Sequence, residues 1–195
     1  MEQRPYHRPK KTTSDISYLG ILNRLELEGK TRDLALFNMA LDSKLRGCDL
    51  IKLKVSDVTY GSLVSSRATV LQQKTGSPVQ FEITKGTRDA VAALIKLGNL
   101  HSKDFLFRSR VGTNQRISTR QYNRIFHWWV EKRGLEDSLY STHSMRRTKP
   151  YLIYKKTKNL RVIQLLLGHK KLESTVRYLG TEVDDALAIS ESIEV

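Results

Sequence analysis

Cysteine occurs once in the 195 residues, at Cys48. A single thiol excludes an internal disulfide and supplies no zinc spacing. Long apolar runs are missing too: no stretch of 18 such residues exists to cross a bilayer, and no cleavable signal opens the chain. The five histidines (His7, His101, His127, His143, His169) are scattered, with no H-E-x-x-H and no paired carboxylate ligands, so no metal centre is expected. A G-x-x-x-x-G-K-[ST] phosphate loop is also absent, which leaves nucleotide-driven chemistry without support.

Acidic residues are the most telling shortage. Asp and Glu number 20 against 34 Lys and Arg, a formal charge of +14. Such a balance favours a polyanionic partner; nucleic acid is the commonest, with an anionic membrane surface as the competitor. The charge is uneven. Residues 181–195 hold five acids (Glu182, Asp184, Asp185, Glu191, Glu194) and no base, which leaves 34 bases against 15 acids, or +19, in the rest. This length supports one domain with a real core, with or without a tail.

Residues 1–13 are basic, hold two prolines and lack periodicity, and are expected to be a flexible tail. Ile16, Leu19, Leu22 and Leu25 mark a helix over 14–28, stopped by Gly29. Thr31 is the expected cap of a second helix with Leu34, Phe37, Leu41 and Leu45 on one face. Arg46 follows at its end, Gly47 lets the chain turn, and Asp49 is the candidate to fix the guanidinium. From Val58 the texture changes. Residues 67–73 and 79–83 read as the strands of an antiparallel hairpin whose turn, Lys74 to Pro78, carries Gly76 and puts Lys74 at the lip.

A third helix is expected over 87–97. Arg108, Arg110 and Arg116 then line a loop with Gly112 and Asn114. Ser118 and Gln121 fit a capping box, with Ile117 and Tyr122 as a staple. The helix that follows carries adjacent Trp128 and Trp129, which cannot face the same way. Arg116, Arg120, Arg124 and Lys132 are the candidates to touch DNA: Arg116 from the loop, on a phosphate backbone, and the helix's basic side as a major-groove face, with a solvated loop and an ordinary solvated face as the alternatives.

The last stretch, Thr142 to Tyr178, holds the densest chemistry. Thr142 is the expected cap of a helix bearing His143 and Arg146 on one face. Pro150 should kink or restart that helix. Asn159 caps the next, Gly168 closes it, His169 follows, and a short helix brings Tyr178 round. Arginine grips two phosphate oxygens with a planar fork, imidazole moves protons near neutral pH, and a tyrosine oxygen attacks only once its proton, of pKa about 10, is removed. Singly, each also reads as a polar residue on an amphipathic helix pair.

In the order Arg46, Lys74, His143, Arg146, His169 and Tyr178, within LRGCDLIKLKVSDV, QQKTGSPV, HSMRRT and LLGHKKLESTVRY, the set resembles the catalytic residues of the tyrosine recombinase (phage integrase) family. Short members of that family include the fimbrial phase-switch invertases. The resemblance spans roughly residues 14–180. It implies a mainly α catalytic-domain fold with a small antiparallel β-hairpin or sheet, and a site-specific recombinase that cleaves and rejoins DNA through a 3′-phosphotyrosine. It further implies that Arg46 and Arg146 clamp the phosphate, Lys74 protonates the departing 5′ oxygen, His143 handles the tyrosine proton, His169 bonds the phosphate and Tyr178 attacks. No cofactor or metal is then needed. Double-stranded DNA is the implied partner, with a homotetramer assembled on it, and the location is the bacterial cytoplasm, at the nucleoid when DNA-bound. Larger members carry a separate N-terminal DNA clamp where this chain has only residues 1–13 before its first helix, which leaves room for a DNA-bending or helper protein. Residues 181–195 are expected to dock on a neighbouring protomer. The rival expectations are a DNA-binding regulator of the same fold and a topoisomerase-like relaxing enzyme.

Overall fold

The computed structural model describes residues 18–112, 115–179 and 191; the expected basic tail (1–13) and nearly all of the acidic segment (181–195) lie outside them, as do Ile16 and Asn114. The helices are α1 (Tyr18–Leu27), α2 (Thr31–Ser43), α3 (Gly47–Leu50), α4 (Val55–Val58), α5 (Lys85–Leu97), α6 (Thr119–Glu131), α7 (Thr142–Thr157), α8 (Leu160–Leu167) and α9 (Leu172–Leu179). Between α4 and α5 lie four short strands, β1 (Thr59–Tyr60), β2 (Leu63–Val64), β3 (Arg67–Leu71) and β4 (Pro78–Glu82), paired as two antiparallel hairpins. The expected mainly α fold with a small antiparallel sheet is what forms. No described helix is long and apolar enough to cross a membrane.

The core explains the layout. Leu36, Phe37, Met39 and Ala40 of α2 are buried, as are Val91 of α5 and Tyr122, Phe126, Trp129 and Val130 of α6. Phe37 meets Trp129 edge-on with centroids 5.3 Å apart, a favoured aromatic geometry. Of the two adjacent tryptophans, Trp129 is buried, whereas Trp128 is half-buried beneath the Lys30 ammonium, 3.5 Å from its ring centroid.

Several local expectations change. α2 stops at Ser43, not at Leu45, because Lys44 takes a left-handed conformation (φ 55°). A side chain rarely adopts that conformation without outside support. Here the support is the ion pair of its buried Nζ with Glu82 Oε2, at 2.7 Å. Gly47 is therefore not the turning residue. It provides room, since a Cβ there would sit 3.2 Å from the Tyr122 ring. Ser141, not Thr142, caps α7, in a reciprocal box with Ser144. Pro150 does not restart α7, which continues to Thr157 with the proline buried inside it. The helix is held from outside, by packing on α2 and α8 and by Lys149, whose Nζ lies 2.6 Å from both Asp42 Oδ1 and Glu82 Oε1.

The first hairpin strand is also shorter than expected, and the second lies one residue earlier. The ladder runs from Arg67↔Glu82 to Leu71↔Pro78, so Gln72 and Gln73 fall outside it. Gln72 still closes the turn, its N–H bonding to Ser77 O at 3.0 Å and its carbonyl accepting from Gly76 N at 2.8 Å. Its side chain continues the inward face of Ala68 and Val70, by the two-residue period of a strand.

Candidate active site

Three parts of the chain converge on one place. Arg46 stands just before α3, half-buried, and its Nη1 donates to Gln72 Oε1 at 2.7 Å. Arg146, on α7, is only 2% exposed, and its Nη2 donates to the Leu167 carbonyl at 3.2 Å. Leu167 ends α8, and Gly168 closes that helix in a left-handed conformation (φ 66°). The glycine is needed twice over, because a Cβ there would also meet Val79 Cγ2 of β4 at 2.5 Å. The close approach brings the end of α8 onto the hairpin, where Gln72 Nε2 donates to the same Leu167 carbonyl at 3.3 Å.

His169 and Tyr178 complete the cluster. The His169 ring lies edge-on to Tyr178, centroids 5.4 Å apart, and its Nδ1 is 3.1 Å from the buried Thr175 hydroxyl. The Arg146 guanidinium carbon is 5.7 Å from the Tyr178 ring centroid. Arg146 Nη1 and the Tyr178 hydroxyl are buried without a hydrogen bond among the described residues. The guanidinium thus attracts the phenol electrostatically while the geometry of a direct bond is not met.

The remaining residues differ. His143 is exposed at the start of α7, and beside it opens a cleft of about 680 Å³ lined also by Arg46, Cys48, Arg120 and Arg124. Arg120 and Arg124 therefore face the site. Arg116 instead bridges to Arg108 across a loop, and Lys132 caps the far end of α6, about 18 Å along the helix from Arg120. Lys74 is exposed at the lip of the hairpin. Asp49 does not bond Arg46. Its Oδ1 accepts from the Gln73 amide at 2.9 Å, so it holds the hairpin that carries Gln72 and Lys74.

The electrostatics follow from this crowd of cations. Burial, then Arg146 and Arg46, push the His169 pKa down to about 4, so the imidazole is neutral at pH 7. Partial desolvation and the charges of Arg146, Arg147, Arg46 and Lys74 also lower that of His143, although the residue keeps an open face to solvent. Burial pushes the Tyr178 hydroxyl up to about 12, against the pull of Arg146 and Arg147. Neither Arg46 nor Arg146 forms an ion pair with a carboxylate of the described residues. Two guanidiniums, neutral imidazoles and a protonated phenol suit the binding of a phosphodiester and in-line attack on it.

Residues 17–184 match the Phage integrase family. The chain belongs to that family. It is 29% identical over 162 residues to the probable integrase/recombinase YoeC of Bacillus subtilis, covering 83% of this chain and 84% of that protein. It is 26% identical over 170 residues to the tyrosine recombinase XerC of Caldanaerobacter subterraneus, covering 85% of this chain and 45% of that one. Among solved structures, the XerH site-specific recombinase in a pre-cleavage complex with its difH substrate superposes with a TM-score of 0.71 at 17% identity, over 93% of this chain and 53% of that one. The chain thus spans most of YoeC but about half of XerC and of XerH, and the XerH match establishes the catalytic-domain fold.

Sequence reasoning missed Gln72, Thr175 and the Leu167 carbonyl. The first carried a signal, an amide at an inward strand position. Thr175 depends on how α9 folds back onto His169, and the Leu167 carbonyl on how the end of α8 meets the hairpin and α7, which no local pattern encodes.

Proposed function

We propose that residues 14–180 are the catalytic domain of a site-specific DNA recombinase that cleaves and rejoins double-stranded DNA through a 3′-phosphotyrosine at Tyr178. The observation that carries this reading is the convergence of Arg46 with Arg146 and Tyr178, which lie a hundred or more residues further along the chain, with no carboxylate of the described residues paired to either arginine. In the reaction Tyr178 Oη forms a bond to phosphorus as the bond from phosphorus to the 5′ oxygen breaks. Arg46 and Arg146 hold the two non-bridging oxygens and stabilise their growing charge. Lys74, on the exposed hairpin lip, protonates the departing 5′ oxygen. His143 takes the phenol proton, which its lowered pKa leaves it free to accept. With its Nδ1 turned to Thr175, His169 presents Nε2–H to the phosphate. The link conserves the phosphodiester energy, so rejoining needs no nucleotide.

The DNA partner is supported by the charge of +19 outside residues 181–195 and by the DNA complex of the structurally similar XerH. Assembly is proposed as a homotetramer on DNA, with a DNA-bending or helper protein as a further partner and residues 181–195 docking between protomers. Tyr178 is delivered in cis, since it packs into the site of its own chain. Its hydroxyl is buried, so a shift of the short helix α9 precedes attack.

The test uses duplexes tiling the DNA on both sides of the gene. The wild-type protein forms a denaturant-stable, protease-sensitive adduct with a DNA 3′ end, and Tyr178→Phe forms none. An adduct that persists in Tyr178→Phe, or its absence with wild type on every duplex, overturns the reading. Adduct regained by mixing Tyr178→Phe with Arg146→Met chains would overturn delivery in cis.

A further inference from the structure

Gln72 is 1% exposed and occupies the third inward position of a strand face, after Ala68 and Val70, where a core would accept an apolar side chain. A buried amide costs stability unless it is hydrogen-bonded, and two of its three side-chain bonds run to the candidate site. Oε1 accepts from Arg46 Nη1 at 2.7 Å and from Thr75 Oγ1 at 3.0 Å, while Nε2 donates to Leu167 O at 3.3 Å. The orientation of the amide follows from its partners, since a guanidinium only donates and a carbonyl only accepts. Leu167 O is also where Arg146 Nη2 rests, at 3.2 Å.

We propose that Gln72 is a positioning residue that sets the two arginines of the site in register with one another, through the Leu167 carbonyl that its amide shares with Arg146. The chain of bonds runs Arg46, Gln72, Leu167 carbonyl, Arg146, and joins segments that are a hundred residues apart. The same residue closes the turn under Lys74 through its backbone bonds to Ser77 and Gly76. A neutral amide suits the task for a further reason. A carboxylate at this place would also direct Arg46 but would neutralise it, and the phosphate would then compete with an ion pair for the guanidinium. Glutamine directs the fork and leaves its charge for the substrate. The Arg146 Nη1 that remains without a bond among the described residues fits this division: Nη2 is held by the Leu167 carbonyl while Nη1 is not.

The inference rests on the phosphoryl-transfer reading for its kinetic test but not for its spectroscopic one. Gln72→Met keeps the volume and removes the bonds; Gln72→Glu keeps the shape and neutralises Arg46. On the duplex that traps wild-type adduct, Gln72→Met should slow adduct formation at saturating DNA by about 100-fold, the scale of an ångström-sized misplacement, with affinity for the duplex within about threefold. Gln72→Glu should be slowed as well, and should also bind more weakly, with a shallower salt dependence. In the DNA-free protein, the His169 imidazole of Gln72→Met, followed by NMR, should titrate closer to 6.5 than in wild type as the two arginines loosen. Wild-type adduct rates in either folded variant, or an unmoved His169 titration in Gln72→Met, would reduce Gln72 to filler. If Gln72→Met does not fold, Gln72→Glu decides by the same rate. If wild type makes no adduct on any duplex, the recombinase reading fails while the His169 titration still decides this one.

Discussion

Two groups of charged side chains are buried in this domain, and they are built on opposite terms. In the first, Lys149 lies between Asp42 and Glu82, Lys44 pairs with Glu82, and Asp42 Oδ2 accepts from the Thr84 amide and from the Thr84 and Thr87 hydroxyls. Two cations meet two carboxylates, and nearly every lone pair is used. In the second, Arg46 and Arg146 meet only amide and carbonyl oxygens, and Asp49 spends one oxygen on the Gln73 amide. The first group is complete without a ligand and ties α2, β4, α5 and α7 together. The second holds an excess of positive charge that a phosphate would neutralise. Both contain cations taken out of water, so burial alone does not mark function. The state of their accounts with nearby carboxylates does.

The sharpest way to break this comparison is to remove the cation from each. Arg146→Met should reduce adduct formation by about 10²- to 10³-fold or more, the scale of losing a charge-stabilising donor. The melting temperature of the DNA-free protein should stay unchanged or rise, because a buried guanidinium lacking a counter-ion is replaced by an apolar side chain. A drop of several degrees in a thermal melt would make Arg146 a structural residue like Lys149. The same substitution at Lys149 should do the reverse. Lys149→Met leaves Asp42 and Glu82 short of a partner inside the fold and should cost about 3 kcal/mol in urea unfolding. Adduct formation per folded molecule should remain within a few-fold of wild type.

The two groups also differ in how far the sequence disclosed them. Arg46, His143, Arg146, His169 and Tyr178 stand in short motifs whose order survives as text, so the candidate site could be assembled before any coordinates. The fold class is readable for the same local reason: three-residue apolar steps mark α1, steps of three and four mark α2, and a glycine turn marks the β3–β4 hairpin. The neutral group was invisible. Asp42, Lys44, Glu82 and Lys149 are ordinary surface-type residues in sequence, and only the left-handed turn at Lys44 and the passage of α7 over β4 bring them together. That packing is also why the expected break at Pro150 does not occur. Nearness in sequence points Asp49 at Arg46, but the hairpin's edge takes its carboxylate instead and Gln72 takes the arginine. Contacts set by tertiary approach, unlike those set by spacing, leave no periodic trace.

The smallest effect, and the one that separates the groups most finely, is on acid stability. His169 has its pKa pushed down to about 4 in the folded protein, by burial and then by Arg146 and Arg46, against about 6.5 in an unfolded chain. Between those values the unfolded state binds more protons, so stability is lost as pH falls from 6.5 toward 4. The neutral group acts lower. Burial works to raise the pKa values of Asp42 and Glu82, but hydrogen bonds from Lys149, with Thr87 and Thr84 on Asp42 and Lys44 on Glu82, outweigh it, and both lie below their ordinary values. Their contribution is full above the unfolded carboxylate range near 4 and is lost as pH falls through the lowered folded values. Urea midpoints against pH should therefore fall in two stages. His169→Gln should shrink the first stage to the share of His143 and spare the second, and saturating duplex should shrink it too, because a phosphate beside the imidazole raises the folded His169 pKa toward its ordinary value. An unaltered first stage in His169→Gln would mean that neither burial nor the unpaired arginines hold the imidazole down, and the division between a finished charge group and an open one would lose its electrostatic basis.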